Sequence, residues 1–472
     1  MALAFQQKAK GVGVSVKIHW FRKDLRLADN PALCAGGQPQ TLALYILDPK
    51  ELARMGAASQ LWLFHSLTSL NASLNGQLHI IEGAAEDVLL NLIQVHDVSA
   101  VSWTRRYDPQ GVATDQTAMS MLKANNITVH STNGSLLWEP WQVSKPDGTP
   151  YKVFTPFFKR GCQAAPPPRT TISAPQLDLI APASPIEPVL QNLLPIRRWD
   201  TSVIQSWSPG EIGAGERLTS FIDHQLDGYK SARDIPRHNA TSRLSPHLHF
   251  GELSPNQIWQ AISALPASTD LSHFKSELAW REFSHHLLFR NPDLDHQNLN
   301  RKFDGFPWVS GPETLQRWQQ GQTGIPIVDA GMRELWQTGY MHNRVRMIVA
   351  SFLVKNLRIH WRHGLAWFND TLFDADPANN AASWQWVAGS GADAAPYFRI
   401  FNPVTQAQKF DPDAHYIKTY VPELGELPPK HAITPWLAPA EIRAQILGGY
   451  PEPVVDLKES RQRALDAFAT LS

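Results

Sequence analysis

The pattern of apolar residues changes once along the chain, and this change constrains the fold more than any other feature. Up to about residue 130, short apolar runs alternate with segments of helical spacing. The runs predict strands at 14–21, 41–47, 78–81, 100–103 and 127–130, and the segments between them predict helices at 59–74, 87–95 and 114–124. Strands that alternate with helices indicate a parallel sheet with helices on both faces.

A proline-rich segment follows, and from about residue 211 the spacing becomes helical. Eight prolines lie between Pro166 and Pro195, which favours a long extended segment on the surface. We therefore predict an α/β domain with a doubly wound parallel sheet at 15–145, a connector at 146–210 and a large all-α domain at 211–472. Residues 1–14 are expected to form a loose extension.

Composition excludes several classes of protein. The 43 basic and 43 acidic residues cancel, so any binding of nucleic acid must use a local basic patch. Two cysteines allow neither a disulfide framework nor a zinc motif, and they fit a reducing compartment. We see no secretory segment and no apolar run of about 18 residues, so we expect a cytoplasmic protein with no membrane span. In a bacterium it would be associated with the nucleoid.

The segment 338–401 carries the strongest chemical pattern. Asn343 and Met347 share a face if 341–356 is a helix, and Arg344 and Arg346 flank that face. An amide, a thioether and guanidinium groups on one helix suit a flat ring with polar edges and nearby phosphates.

The same segment then opens a second helix. Asp376 and Pro377 predict an N-cap followed by proline at the first helical position. This start would aim Asp374 at the same space as the first helix. Trp384 and Trp386 add two large aromatic surfaces, and ten of the 17 tryptophans lie after residue 250.

Two further stretches leave alternatives open when they are considered alone. Residues 241–246 combine small hydroxyl side chains with an arginine, which suits a pyrophosphate, although such a string is more often a turn with an N-cap. In the helix predicted at 274–290, Glu277, Trp280 and Arg281 share a face with Ser284. This face suits a ligand, but it could also be partly exposed with a local pair between Glu277 and Arg281.

Histidine pairs raise the question of a metal site. His247 and His249 are separated by one residue, and His285 and His286 are adjacent. Neither pair has cysteines or carboxylates at a ligand spacing, so we expect no metal.

Taken together, these stretches resemble the DNA photolyase/cryptochrome family over roughly residues 16 to 460. The motifs that carry the resemblance are WFRKDLRLADNP at 20–31, YKVFTPF at 151–157, TSRLSP at 241–246, ELAWREF at 277–283, MHNRVRM at 341–347 and DADPANN at 374–380. Within the family, the chain is most similar to class I-type cyclobutane pyrimidine dimer photolyases.

The resemblance implies a lyase that repairs UV-damaged DNA by light-driven electron transfer from reduced FAD to a flipped-out pyrimidine dimer. It also implies that the first domain can hold a second, antenna chromophore, with methenyltetrahydrofolate favoured and a deazaflavin as the alternative. Residues 103–108 give no clear match to the folate contacts. Arg22, Asp24 and Arg26 could instead form a salt-bridged turn with no role in binding.

The resemblance further implies a role for each matching residue. The lesion would contact Glu277, Trp280, Asn343, Met347 and Trp386. FAD would contact Tyr229, Thr241, Ser242, Arg243, Leu244, Ser245, Phe274, Arg281, Arg346, Asp374, Ala375, Asp376 and Asn380. Arg346 would pair with Asp374 beside the flavin ring. Trp384, Trp361 and Trp308 would pass electrons to the flavin from the surface, and DNA would contact Arg233, Glu277, Trp280, Arg281, Asn343, Arg344, Arg399 and Gln406.

Three alternatives to this function differ in testable ways. A blue-light receptor without repair activity is disfavoured because Asn380 carries an amide where plant-type cryptochromes usually have aspartate, and because the chain shows no long polar tail. A photolyase for the (6-4) photoproduct would carry histidines where this chain has Asn343 and Met347. A member specific for single-stranded DNA stays open, and a monomer is the family expectation.

Overall fold

In the computed structural model, residues 15–37, 39–194, 201–394, 398–444, 446 and 449–471 are described. The extension predicted at 1–14 lies outside them. Contacts divide the chain into two compact units. The first takes in the chain up to Ser144, with Cys162–Ser220 and Ser242–Pro266, and the second takes in Lys145–Gly161, Phe221–Thr241 and Ala267–Ser472. How these units relate to the predicted functional domains stays a prediction.

A five-stranded parallel sheet forms the centre of the first unit, as the apolar pattern predicts. Its strands are β1 (Val16–Phe21), β2 (Gln40–Leu47), β3 (Leu78–Glu82), β4 (Val98–Thr104) and β5 (Thr128–Thr132). The spatial order is β3-β2-β1-β4-β5, so β1 pairs with both β2 and β4. In this order the chain reverses direction across the sheet at β1 and β4, the arrangement of doubly wound folds.

The crossover helices of the sheet match the predicted segments within a few residues. They are α1 (Ala57–Ser73), α2 (Ala85–Val95) and α3 (Pro109–Ala124). Further helices lie at Pro31–Cys34, Pro49–Leu52, Glu187–Leu190, Thr201–Ile204, Glu211–His224, Ser245–Phe250 and Pro255–Ser263, with a 3-10 turn at Gln191–Leu193. Buried Ile18, Leu44, Val101 and Trp103 from the sheet pack against Leu89 and Leu122 from the helices.

The proline-rich connector is extended along the first unit where the structure describes it. The Asp29 N–H donates to the Ile172 carbonyl at 2.8 Å, and the Ile180 N–H donates to the Thr41 carbonyl at 3.0 Å. Prolines cannot donate such bonds, so the non-proline residues between them anchor the segment.

The second unit is helical. Its main helices are α4 (Thr269–Arg290), α5 (Pro326–Thr338), α6 (Asn343–Ser351), α7 (Trp361–Thr371), α8 (Pro377–Ala388) and α9 (Leu457–Ala469). Shorter helices lie at Phe154–Pro156, Tyr229–Ala232, Pro312–Gln319, Pro403–Phe410, His415–Tyr420, Pro429–Ile433 and Ala440–Arg443, with 3-10 turns at Arg301–Gly305, Pro422–Leu424 and Pro435–Leu437. Helix α8 packs against α4, α6 and α7, so these four helices can present side chains to one region.

The helix predicted at 341–356 is shorter and less regular than expected. It begins at Asn343, because the His342 side chain accepts the Arg344 N–H at 3.2 Å and ends the preceding turn. After Ser351 the backbone continues as a π-helix at Phe352–Asn356. Such π segments are frequent at functional sites, and helical periodicity does not reveal them. No described helix of either unit is long and apolar enough to cross a bilayer.

Candidate functional site

The predicted face of α4 holds an ion pair, but with a different partner from the local one considered above. The Glu277 carboxylate contacts the Arg233 guanidinium and lies 3.9 Å from His273. Arg281 instead contacts Glu282 at 3.2 Å, so the alternative pair between Glu277 and Arg281 is not formed. Burial lowers the pKa of Arg233, but the charge of Glu277 outweighs burial and the pKa is raised. Arg233 therefore stays charged and holds Glu277 in place.

Trp280 is supported from one side by a ring that sequence reasoning did not assign. The Phe154 ring stacks on the indole with centroids 3.7 Å apart and planes at 9°. Phe283 adds an edge-to-face contact at 5.9 Å, and Phe154 itself is buried. One face of Trp280 is thus covered, and the half-exposed indole is fixed in orientation. The motif at 151–157 pointed to Phe154, but no spacing relates it to a helix more than 100 residues away.

Asn343 and Met347 lie one turn apart at the start of α6, as predicted. Asn343 is exposed and Met347 is half-buried. Arg344 lies beside them and pairs with Asp234 at 2.8 Å, and its Nη1 approaches the Met347 sulfur at 3.8 Å. The predicted DNA contact Arg344 is therefore already engaged within the unit, where it orients the thioether.

A bidentate ion pair joins α6 to the residues before α8. The Arg346 Nη1 and Nη2 each lie 3.0 Å from an oxygen of Asp374, and its Nε donates to the Met341 carbonyl at 2.7 Å. Burial lowers the pKa of Arg346, while Asp374 raises it, and the net shift is upward. The pairing predicted for Arg346 and Asp374 is thus present, and it holds both side chains rigidly.

The start of α8 has the cap that the sequence predicts. The Asp376 side chain accepts the Asn379 N–H at 2.9 Å, and Pro377 stands in the first turn. The Asn380 Nδ2 donates to the Leu365 carbonyl at 3.3 Å. This bond ties the amide on α8 to the backbone of α7.

Of the three predicted electron-transfer tryptophans, two are buried and one reaches the surface. Trp384 and Trp361 are buried and Trp308 is half-buried. The Trp384 indole N–H has no hydrogen-bond partner among the described residues. A methyl group on Gly364 would lie 2.0 Å from the Trp384 ring, so only glycine permits α7 to approach it this closely. The Trp361 N–H donates to Asn298 at 2.9 Å.

The remaining predicted residues of the second unit have mixed environments. Tyr229 and Phe274 are buried together with centroids 5.4 Å apart, and burial raises the pKa of the Tyr229 hydroxyl. The Thr241 hydroxyl lies 3.5 Å from that of Tyr340. Ala375 is buried, Trp386 and Gln406 are half-buried, and Arg399 is exposed.

The predicted phosphate loop after Thr241 belongs to the first unit. Arg243 has a left-handed backbone with φ of 53°, and its guanidinium lies 4.0 Å from the Trp207 ring centroid. The Arg217 Nε donates to the Ser242 carbonyl at 2.8 Å, and Leu244 precedes a six-residue helix that starts at Ser245. A strained non-glycine residue held by such contacts is typical of functional loops.

The motif residues at 22–26 form a buried network in the first unit. Asp24 accepts the Arg22 N–H at 2.7 Å, the Thr104 hydroxyl at 2.8 Å and the Asn30 amide at 3.0 Å. Burial raises its pKa, but His19 and the other donors outweigh burial and lower the pKa to about 2. Arg26 donates to the carbonyls of Gly251, Asp29 and Gly134. These contacts are those of a structural network: Arg22 forms an ion pair with Asp115, whereas Asp24 and Arg26 are held mainly by uncharged donors and carbonyls.

The histidine pairs have protein partners. The His247 Nδ1 lies 2.5 Å from the buried Glu252 carboxylate, and the His285 Nε2 lies 3.5 Å from Asp376. Within the described residues, no group of three or more His, Cys, Asp or Glu side chains is arranged to hold a metal ion.

Comparison with known proteins identifies the family. The profile of the FAD binding domain of DNA photolyase matches residues 274–470, and that of DNA photolyase matches residues 17–176. A deoxyribodipyrimidine photo-lyase from Agrobacterium fabrum is 48% identical over 96% of this chain and 98% of its own length. Cryptochrome-1 of Arabidopsis thaliana is 34% identical over 96% of this chain and 70% of its own length.

A solved structure agrees with both the fold and the family. The crystal structure of a bacterial class III photolyase from Agrobacterium tumefaciens superimposes with a TM-score of 0.91 at 46% identity, covering 98% of this chain and 99% of the other. This comparison confirms the predicted combination of a parallel α/β domain with a helical FAD-binding domain. It does not confirm the class I-type assignment. By sequence, by fold and by the matched FAD-binding domain, the chain belongs to the DNA photolyase/cryptochrome family.

Proposed function

We propose that the protein uses light and FAD to split cyclobutane pyrimidine dimers in DNA, and that it is a class III-type photolyase. The observation that carries the proposal is that two adjacent residues link α4 to α6, since Arg233 contacts Glu277 and Asp234 pairs with Arg344. These two helices carry four side chains that we call the wall, the carboxylate of Glu277, the supported indole of Trp280, the amide of Asn343 and the thioether of Met347. A flipped pair of pyrimidines requires polar groups that hydrogen-bond the base edges and an aromatic surface on which the rings can stack.

The second unit also fits FAD. Arg346 and Asp374 form a rigid pair, Asn380 offers an amide oxygen, and the buried indole N–H of Trp384 has no partner in the described chain. A planar ring with polar edges can satisfy such groups. When bound, reduced FAD would supply a photoexcited electron, which no side chain can supply in its ground state. The first-unit residues Ser242–Ser245 are proposed as phosphate contacts on the resemblance alone.

Each residue of the wall has a role that follows from its environment. One oxygen of Glu277 is held by Arg233, which leaves the other oxygen to hydrogen-bond a pyrimidine edge and to share a proton with the dimer radical anion. Asn343 is exposed and can read the same edge with an amide. Met347 can pack against the saturated ring because its thioether is polarizable and apolar.

DNA binding depends on local charge, since the chain has no net charge. Arg399 is exposed and can contact phosphate directly. Arg233 and Arg344 are paired with Glu277 and Asp234, so we propose that they position the lesion-binding groups and contact DNA only through their remaining donors. A second chromophore in the first unit is proposed on the resemblance, with methenyltetrahydrofolate favoured.

Light-dependent repair tests the proposal. The holoprotein is reduced without oxygen, mixed with an oligonucleotide that carries one thymine dimer, and illuminated with blue light while the absorbance of restored thymine is followed. Repair in the light and not in the dark is expected. Glu277→Gln should lower the repair rate by about tenfold to a hundredfold, whereas Glu313→Gln, at an exposed carboxylate on another helix, should leave it unchanged.

Parallel substrates separate the alternatives. An oligonucleotide with a (6-4) photoproduct should not be repaired, and single- and double-stranded dimer substrates show the strand preference. Absence of dimer repair with bound and fully reduced FAD would overturn the proposal. Such a protein would be examined as a light receptor of the cryptochrome type.

A further inference from the structure

A histidine lies between the two outer tryptophans of the predicted electron path. The His360 ring centroid is 4.8 Å from that of Trp308 and 5.4 Å from that of Trp361. Trp308 and Trp361 make no ring contact with each other in the described chain. Among the residues that the structure describes, His360 is therefore the ring that contacts both indoles.

The backbone around His360 holds this arrangement. The imidazole Nδ1 accepts the Arg362 N–H at 3.1 Å and caps the start of α7, the helix that carries Trp361. The Val309 N–H donates to the Arg358 carbonyl at 2.8 Å, which ties the segment of Trp308 to the segment of His360. Because Nδ1 is an acceptor, the ring is the neutral tautomer with its proton on Nε2.

The electrostatic setting favours the same neutral form. Burial lowers the pKa of His360 to about 4, with Arg362 and His363 lowering it further and Asp304 opposing them. A neutral ring between two indoles adds no positive charge that would repel a tryptophan radical cation.

We propose that His360 is a positioning residue of the electron path, whose imidazole seats Trp308 and couples it to Trp361. The inference rests on the proposed function, because it assumes that the tryptophans reduce the flavin. His360 lies outside the family motifs and is not among the residues predicted to contact FAD, the lesion or DNA.

The electron balance is simple. Once Trp361 has given an electron to oxidised Trp384, one electron passes from Trp308 to the Trp361 radical cation, and the imidazole itself is neither oxidised nor reduced. Trp308 is half-exposed, so its radical cation can release the indole proton to water. A thiol in solution then returns one hydrogen atom to Trp308 and becomes a thiyl radical.

Two substitutions separate the ring of His360 from its capping role. His360→Asn keeps a good N-cap but removes the ring, whereas His360→Phe keeps a ring but removes the cap. The holoprotein with oxidised FAD is excited by a short flash, and the absorbance of the tryptophan radicals is followed in time. Melting temperature is measured for each variant, with Asp456→Ala, which removes the N-cap of α9, as the control for loss of a cap.

The proposal expects His360→Asn to lower the yield of the long-lived Trp308 radical severalfold while the melting temperature stays near that of the parent. His360→Phe should retain most of the radical yield despite a lower melting temperature. A high yield in His360→Asn, or a loss in His360→Phe that matches its loss of stability, would overturn the proposal.

Further controls distinguish failure of this inference from failure of the proposed function. Trp308→Phe should abolish the long-lived radical. If it does not, the tryptophan path itself is absent and the inference falls with it. Repair by chemically reduced protein bypasses the path, so His360→Asn should repair dimers at the parent rate. A loss of repair there would show that His360 acts elsewhere and would also overturn the proposal.

Discussion

Two carboxylates in family motifs have opposite environments, one in each unit. Asp24 is fully buried and accepts hydrogen bonds from a backbone N–H, a hydroxyl and an amide. Glu277 has a side chain that is 31% exposed, and Arg233 and His273 approach only one of its oxygens. The hydrogen-bonding capacity of Asp24 is therefore used within the fold, whereas Glu277 keeps one oxygen available, as its proposed role requires.

The two environments also predict how much stability is lost when each carboxylate is removed. A buried carboxylate with all its donors in place cannot be removed without leaving those donors unpaired. When a half-exposed carboxylate is removed, its former partners can form hydrogen bonds with water instead. Stability should therefore depend on the first network, and repair on the second.

The largest effect is expected from Asp24→Ala. Removing this carboxylate leaves the buried Asn30 and Thr104 groups without their acceptor, so the free energy of unfolding should fall by about 3–5 kcal/mol. Glu277→Gln should change it by about 0–1 kcal/mol, because the pair is partly exposed. Denaturant unfolding followed by circular dichroism measures both. If both variants lost the same free energy of unfolding, Asp24 and Glu277 would not differ in their contribution to stability, which would contradict this prediction.

A second substitution tests whether a glycine is needed for the proposed electron path. In Gly364→Ala the new methyl group would lie 2.0 Å from the Trp384 ring, so the indole or α7 must move. We expect a loss of about 1–3 kcal/mol in the free energy of unfolding, together with slower light-driven flavin reduction. Gly215→Ala is the matched control, since a methyl group there meets nothing within 4 Å. It should stabilise its helix by about 0.5–1 kcal/mol, and a similar loss in both variants would contradict the role of Gly364.

The sequence predicts the fold well and the site only in part. Short apolar runs in the sequence predict the five strands of the described sheet. Helix caps such as Asp376–Pro377 can also be predicted, because they depend only on neighbouring residues. The pairing of Arg346 with Asp374 was available only from the family motif, because 28 residues separate the two side chains. Tertiary packing places Phe154 against Trp280 and His360 against Trp308. Periodicity along the sequence cannot predict such contacts, because it reports only on residues within one helix or strand.

Acid should destabilise the first unit through His19. Burial lowers the pKa of this fully buried histidine from its ordinary 6.5, although Asp24 opposes the shift. The unfolded state therefore binds the proton more tightly, and stability that is complete above pH 6.5 is lost as the pH falls below it. The loss should reach at most about 1.4 kcal/mol per pH unit.

His19→Gln isolates this contribution. Unfolding free energies of the parent and the variant are measured from about pH 7 to about pH 5, the range in which histidines titrate. The parent should lose more stability than the variant across this range. Parallel curves would show that other histidines, and not His19, set the acid response. The lowered pKa of Asp24 acts in the same direction, but only at lower pH, where the unfolded carboxyl begins to protonate.

The smallest effect should come from Phe154→Leu, which tests whether the proposed lesion site depends on the ring stacked on Trp280. Leucine keeps an apolar side chain against Trp280 but removes the stacked ring, so the indole can tilt. An aromatic pair contributes about 0.5–1.5 kcal/mol beyond burial, and part of this energy orients Trp280. The preference for dimer-containing over undamaged DNA, measured in the dark, should therefore fall by about twofold to tenfold.

Phe157→Leu is the matched control. It removes a neighbouring buried ring that contacts Phe283 and His286 but not Trp280, and it should leave the preference unchanged. If both variants weakened the preference equally, the effect would reflect general loosening of the aromatic cluster. If only Phe154→Leu did so, the selectivity of the wall would depend on a buried ring. Burial would then separate fold-forming from ligand-binding residues among hydrogen-bonding groups such as Asp24, but not among aromatic rings.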